Sequence, residues 1–134
     1  RHPRARIDGV LVQRMVAGLA EAIVGYRHDP VVGPLVLVGA GGVLAEIYND
    51  VAVRLAPVTQ NEAIAMIEEV KGLTPIRGYR NLPRGDVAAL ARTITAISRL
   101  ALMEGQLVAE AEMNPVVVQG AGAVAVDGVV TFRE

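Results

Sequence analysis

Along the first half of the chain, apolar residues come in short blocks rich in β-branched side chains. Glycine, proline and Asn-Asp cut these blocks apart. Residues 10–16 have the composition of a strand that stops at Ala17-Gly18, and residues 21–27 that of a second, ending at His28-Asp29-Pro30. Residues 35–38 form an apolar run of the buried-strand type. Two more candidates, 43–48 and 51–56, flank an Asn49-Asp50 turn, so this half predicts a meander of short antiparallel strands. The period then changes. Thr59 and Glu62 have the spacing of a capping box, Ala63, Ile64, Met66, Ile67 and Val70 make one helical face, and Gly72 marks its end. After a loop over 73–85 carrying Arg77-Gly78-Tyr79-Arg80, Asp86 can cap a second helix, with Val87, Leu90, Ile94, Ile97 and Ala101 at helical spacing.

Strand character returns at residues 107–113. Folded as a hairpin with Gly120-Ala121 at the tip, the last part of the chain pairs 118 with 123, 117 with 124 and 114 with 127. Directly opposed residues of an antiparallel pair share a face, and so do residues two apart on one strand. Glu112, Asn114 and Asp127 are therefore expected to converge, with Pro115 marking a bend or an edge. Three hard oxygen donors suit Mg²⁺ that also holds nucleotide phosphates. The same residue types near strand ends also serve as solvated or backbone-bonded turn formers.

The order strands, helices, strands predicts an α+β fold, a mostly antiparallel sheet with two packed helices. With 134 residues, 52% of them hydrophobic, the chain can bury a core as one domain; residues 1–8, polar and basic, read as a leader or linker remnant ahead of 9–134. Aromatics make up only 3% and the net charge is −1, so neither base-stacking platforms nor a basic nucleic-acid surface is expected. The chain has no cysteine, which removes disulfides, thiolate metal sites and Cys nucleophiles and accords with a cytoplasmic setting. The longest uncharged run, 30–45, is too short to span a bilayer.

Gly39-Ala40-Gly41-Gly42 lies between strands without a following helix, so it is read as a tight turn or a close backbone approach rather than a phosphate loop. His2 falls in the leader and His28 in a polar turn, which leaves no histidine triad or zinc site. Arg54 interrupts an apolar strand. Alternation puts it on one face with Ala52 and Ala56, where it either meets an anion or snorkels to the sheet edge.

Taken in order, these segments resemble the C-terminal part of the ATP-grasp module of ADP-forming (NDP-forming) acyl-CoA synthetases, which is related to the β-subunit of succinyl-CoA synthetase. The segments are 9–15, Glu21 with Val24-Gly25, 29–34, 39–42, Arg54-Leu55-Ala56-Pro57, Gly78-Tyr79-Arg80, Glu112-Met113-Asn114-Pro115 and Ala125-Val126-Asp127. The resemblance implies ATP/ADP and Mg²⁺ as cofactors. It also implies an adenine-binding hinge strand over Gln13, Arg14, Met15 and Val16, and Glu21 at the ribose hydroxyls. Asn114 and Asp127 would be Mg²⁺ ligands with Glu112 in support, Arg54 would face the transferred phosphoryl group, and Gly41 and Gly42 would admit a phosphorylated loop. The family's reaction is acyl-CoA + ADP + Pi ⇌ acid + CoA + ATP, through an acyl phosphate and a phosphohistidine. The implied partners are the CoA-binding and phosphohistidine-bearing domains of an oligomeric enzyme. The N-terminal ATP-grasp subdomain has no counterpart here, so turnover by this stretch alone is not expected. Two other readings are a regulatory synthetase-like module of a protein lysine acetyltransferase and a non-catalytic structural domain. The sequence departs mildly from the family at Val32, Asn81 and Val116.

Overall fold

A computed structural model describes residues 6, 8–41, 49–105 and 107–133. Among these residues six strands form one antiparallel sheet: β1 (Ala20–Asp29), β2 (Gly33–Ala40), β3 (Val51–Leu55), β4 (Val108–Val118), β5 (Ala123–Ala125) and β6 (Gly128–Phe132). Their order is β3-β2-β1-β4-β5, and β6 also pairs with β4 beyond the end of β5. The first three strands run as an antiparallel meander and correspond to the expected strands at 21–27, 35–38 and 51–56.

Among the described residues two α-helices, α1 (Gln60–Glu69) and α2 (Val87–Ser98), cover one face of this sheet. Both start where their caps require. Thr59 Oγ1 accepts from Glu62 N at 3.3 Å while Thr59 N donates to Glu62 Oε2 at 2.7 Å, completing a capping box. Asp86 Oδ1 accepts from Ala89 N at 2.8 Å, and its Oδ2 from Gly122 N at 2.9 Å. One carboxylate thus caps α2 and ties the tip of the β4–β5 hairpin to it. These bonds to the charged form hold the Glu62 and Asp86 carboxyls below their ordinary range. The core lies between helices and sheet, with Met66, Ile67, Leu90 and Ile94 packed on Val24, Val36, Val38, Val116 and Val118, all fully buried.

Register assigns every strand residue to a face. Ala52 pairs with Val38, Val38 with Val24 and Val24 with Met113, which places this row under the helices. The neighbouring row, Leu37, Gly25 and Glu112, faces away from them. The β1–β4 register shifts between Val24/Met113 and Ala22/Val116, across the cis Asn114–Pro115 peptide. Pro115 therefore marks a bend within an inner strand rather than an edge.

Three expectations change. Residues 10–16 join no strand; Val10, Leu11, Val12 and Met15 are 84–91% exposed, and the chain first meets the sheet where Leu19 N donates to Val118 O at 2.7 Å. β-prone residues form a strand only beside a partner, and among the described residues none pairs with them. Helix α1 stops at Glu69, not at Gly72, and the chain continues as a 3₁₀ turn (Lys71–Arg77) through part of the expected loop. The Asp50 carboxylate starts that turn by accepting from Lys71 N at 3.1 Å and Gly72 N at 2.6 Å. Strand β6, which was not anticipated, extends the hairpin. The strand expected over 43–48 lies outside the described residues, as do most of the leader and Gly42.

Candidate functional site

The predicted hairpin register holds through its full length. Val118 pairs with Ala123, Val117 with Val124, and Met113 with Gly128. Between them Asn114 N donates to Asp127 O at 3.2 Å and Val126 N to Pro115 O at 3.0 Å, so 114 and 127 stand opposite each other. Glu112, Asn114 and Asp127 line one cleft of about 380 Å³ on the open face, together with Glu110, Gly128, Val129 and Thr131. The Asn114 amide donates from Nδ2 to Glu112 Oε1 at 3.2 Å, which leaves its own oxygen as an acceptor. Asp127 Oδ1 accepts from Gly128 N at 2.8 Å, and no donor among the described residues takes its Oδ2.

This donor set fits a hard divalent cation in one specific way. Among the described residues no three His, Cys, Asp or Glu side chains converge closely enough to hold an ion alone. Mg²⁺ seldom asks for that; one or two carboxylates, waters and phosphate oxygens complete its octahedron. Glu110 and Thr131, a cross-strand pair, were missed as cleft residues. Extending the same alternation two residues back from Glu112 would have found them.

Glu21 and Gly41, expected at the nucleotide, are brought together. Gly41 N donates to Glu21 O at 2.8 Å, and a Cβ on Gly41 would lie 2.9 Å from the Glu21 carbonyl carbon. Only glycine allows that approach. Glu21 shares the open face with Glu112, because Gly25, four residues along the same strand, pairs with Glu112. The two acidic positions are separated by roughly 13 Å along the strands.

Gln13, Arg14, Met15 and Val16 do not line the cleft and lie in the stretch before the sheet. That stretch is anchored at its end, where Gln119 Nε2 donates to Ala17 O at 2.8 Å. Arg54 does not join the cleft either. It pairs with Val36, which pairs with Tyr26, which pairs with Ala111, and this row lies under the helices. Its guanidinium forms an ion pair with Glu69 at the end of α1, and Nη1 donates to Val53 O at 2.8 Å. The sheet itself separates Arg54 from the oxygen cluster. Of the two readings open from the sequence, the edge arginine is what the geometry shows.

Among the described residues no helix is long and apolar enough to cross a membrane. The family model described as an ATP-grasp domain matches residues 1–132. An ADP-forming acetate–CoA ligase I of Archaeoglobus fulgidus is 44% identical over 127 residues, 95% of this chain but 18% of that protein. The beta subunit of the ADP-forming acetate–CoA ligase I of Pyrococcus furiosus is 38% identical over 93% of this chain, which spans 53% of the subunit. A solved acetyl-coenzyme A synthetase 1 of Ca. Korarchaeum cryptofilum, in complex with coenzyme A and Mg-AMPPCP and with its phosphohistidine segment pointing towards the nucleotide binding site, superposes with a TM-score of 0.80. It is 34% identical, and the match covers 89% of this chain and 55% of that one.

Proposed function

The chain belongs to the ATP-grasp family, and we propose that it is the Mg-nucleotide-binding half of such a module in an ADP-forming acyl-CoA synthetase. In this reading it serves phosphoryl transfer between ATP or ADP and a phosphohistidine carried by another domain. One observation supports this most: the 114–127 register collects Glu112, Asn114 and Asp127 in one cleft on the sheet face opposite α1 and α2. Its relatives act as ADP-forming ligases, and the solved neighbour holds Mg-AMPPCP.

When bound, Mg²⁺ would neutralise phosphate charge as it shifts between oxygens. The chain's own share is positioning. Asn114 Oδ1 and the Asp127 carboxylate would hold the ion from adjacent strands, with Glu112 fixing the amide that presents Asn114 Oδ1. Glu21, on the same face and roughly 13 Å along the strands, would take the ribose hydroxyls. Gly41 keeps the backbone against Glu21 low enough for the nucleoside to lie over it. The stretch 13–16 would contribute backbone groups to the base once a second subdomain gives it a strand to pair with. Binding by preorganised groups, rather than a covalent nucleophile, is what phosphoryl transfer asks of such a site.

Calorimetric titration of Mg-ADP into the full-length protein and its Asp127→Ala variant tests this reading. Loss of a charged ligand is expected to weaken Mg-ADP at least about tenfold, while unfolding stability stays within about 0.5 kcal/mol, as for an exposed substitution. Equal affinities at equal stability would remove Asp127, and with it the proposed cation site.

A further inference from the structure

On the other side of the sheet, the segment joining α1 to α2 carries Lys71, Arg77, Arg80 and Arg84, with no acidic residue between Glu69 and Asp86. Gly78, Arg80 and Asn81 take left-handed backbone, with φ of 88°, 43° and 44°, and reverse the chain. The reversal lays Arg84 over Gly78. A Cβ there would stand 2.9 Å from Arg84 Cγ and Nε, so glycine lets the Arg84 side chain reach the backbone of Arg77. Arg84 Nε donates to Arg77 O at 3.3 Å.

Arg77 is the fixed member of the pair. Its Nη1 donates to Glu68 O at 2.9 Å, at the end of α1, and its Nη2 to Thr74 Oγ1 at 2.6 Å. Its Nε–H is buried and has no hydrogen-bond partner among the described residues. Neither Arg77 nor Arg84 makes an ion pair among them. Both border a cleft of about 310 Å³ whose other walls are Glu68, Ile76, Gly85 and Val87. A buried donor on a cation is costly when left unmatched, and in native proteins such an orphan generally signals a water or an ion. Guanidinium donors match the oxygens of an oxyanion.

We propose that this cleft is a phosphate-binding site, with Arg77 as its floor and the exposed Arg84 as the arm that closes on the ligand. The site is separate from the proposed nucleotide cleft. Gly85, on its wall, packs against Ile76 and Val118 on the helix side, whereas Glu112, Asn114 and Asp127 open on the opposite face. Glu68, which also lines the cleft, brings a negative charge that opposes an anion there.

Inorganic phosphate titrated into the protein, with divalent cations stripped by chelating resin and ionic strength held constant with chloride, tests the assignment through the unfolding temperature. The expected result is a saturable rise in Tm, on the order of 3–5 °C at a tenfold excess over Kd. The rise is lost in Arg84→Gln, retained in Asp127→Ala, and reached at severalfold lower phosphate in Glu68→Gln. Arg84 is exposed, so its variant keeps the fold and its own baseline Tm serves as reference. No saturable rise overturns the proposal, and is what a single buried water on Arg77 Nε would give. A rise that Arg84→Gln leaves intact overturns it too, because it marks a general salt effect.

Discussion

The two faces of this sheet are built from the same strands and put to opposite uses. On the face under α1 and α2, Val108, Ala111, Val116 and Val118 of β4 are buried. On the other face the same strand presents Glu110 and Glu112, then Asn114, to solvent. The covered face does the folding; the open face inherits its geometry. A slip of one residue would put carboxylates into the core, so burial of the valines fixes where Glu112 and Asn114 stand. Asp127 is held more lightly, through the short β5 and the exposed β6, and depends on the turn closed by Gln119 N donating to Gly122 O at 3.0 Å.

The division is most severely tested from the covered side. Ile94 is fully buried in the middle of α2. Ile94→Ala is expected to lower unfolding stability by about 2–5 kcal/mol, from lost transfer free energy plus the cavity left behind. Urea denaturation measures it directly. A loss well under about 1 kcal/mol would mean that the helices are not what holds the sheet, in contrast with Asp127→Ala on the open side.

A milder attack on the same layer comes from acid. Asp86 and Glu62 have carboxyls held low by the backbone amides they cap, and Asp29 by the amides of Val31 and Val32. A group whose folded pKa is depressed adds stability above its unfolded value and loses that contribution as pH falls through the folded one. Stability should therefore drop below about pH 4, the ordinary carboxylate range. Asp86→Asn should lower Tm at pH 7, with the gap to the parent closing on acidification. A gap that stays constant down to pH 3 would show that Asp86 acts through shape rather than charge.

These caps were readable in the sequence because they are local. Thr59 and Glu62 are three residues apart, and Asp86 precedes an apolar helical stripe. The cleft was readable for a related reason: a short turn fixes the register of a hairpin, and period-2 alternation carries it outward to 114 and 127. What escaped depends on distant partners. The 3₁₀ turn after α1 exists because Asp50, about 20 residues earlier, caps it. Strand β6 had the right composition in Val129-Val130-Thr131-Phe132, yet its existence depends on β4 running long enough to receive it. Residues 10–16 have the composition of a strand and, among the described residues, no paired neighbour to make them one.

Arg54 shows what parity alone leaves open. Alternation put it on one face with Ala52 and Ala56; it could not say which face the helices would take, nor that Glu69 would be waiting there. The pair is partly exposed on both sides, with side-chain exposures of 39% and 49%, so solvent screens it and its contribution is about 0–1 kcal/mol. Arg54→Ala should accordingly cost less than about 1 kcal/mol in urea denaturation. Because the sheet stands between it and the oxygen cluster, Mg-ADP affinity in the full-length protein should stay within about twofold of the parent. A tenfold loss of Mg-ADP with stability unchanged would show that Arg54 leaves Glu69 for the nucleotide when the site is filled. The separation of the two faces would then hold only while Arg54 stays paired with Glu69.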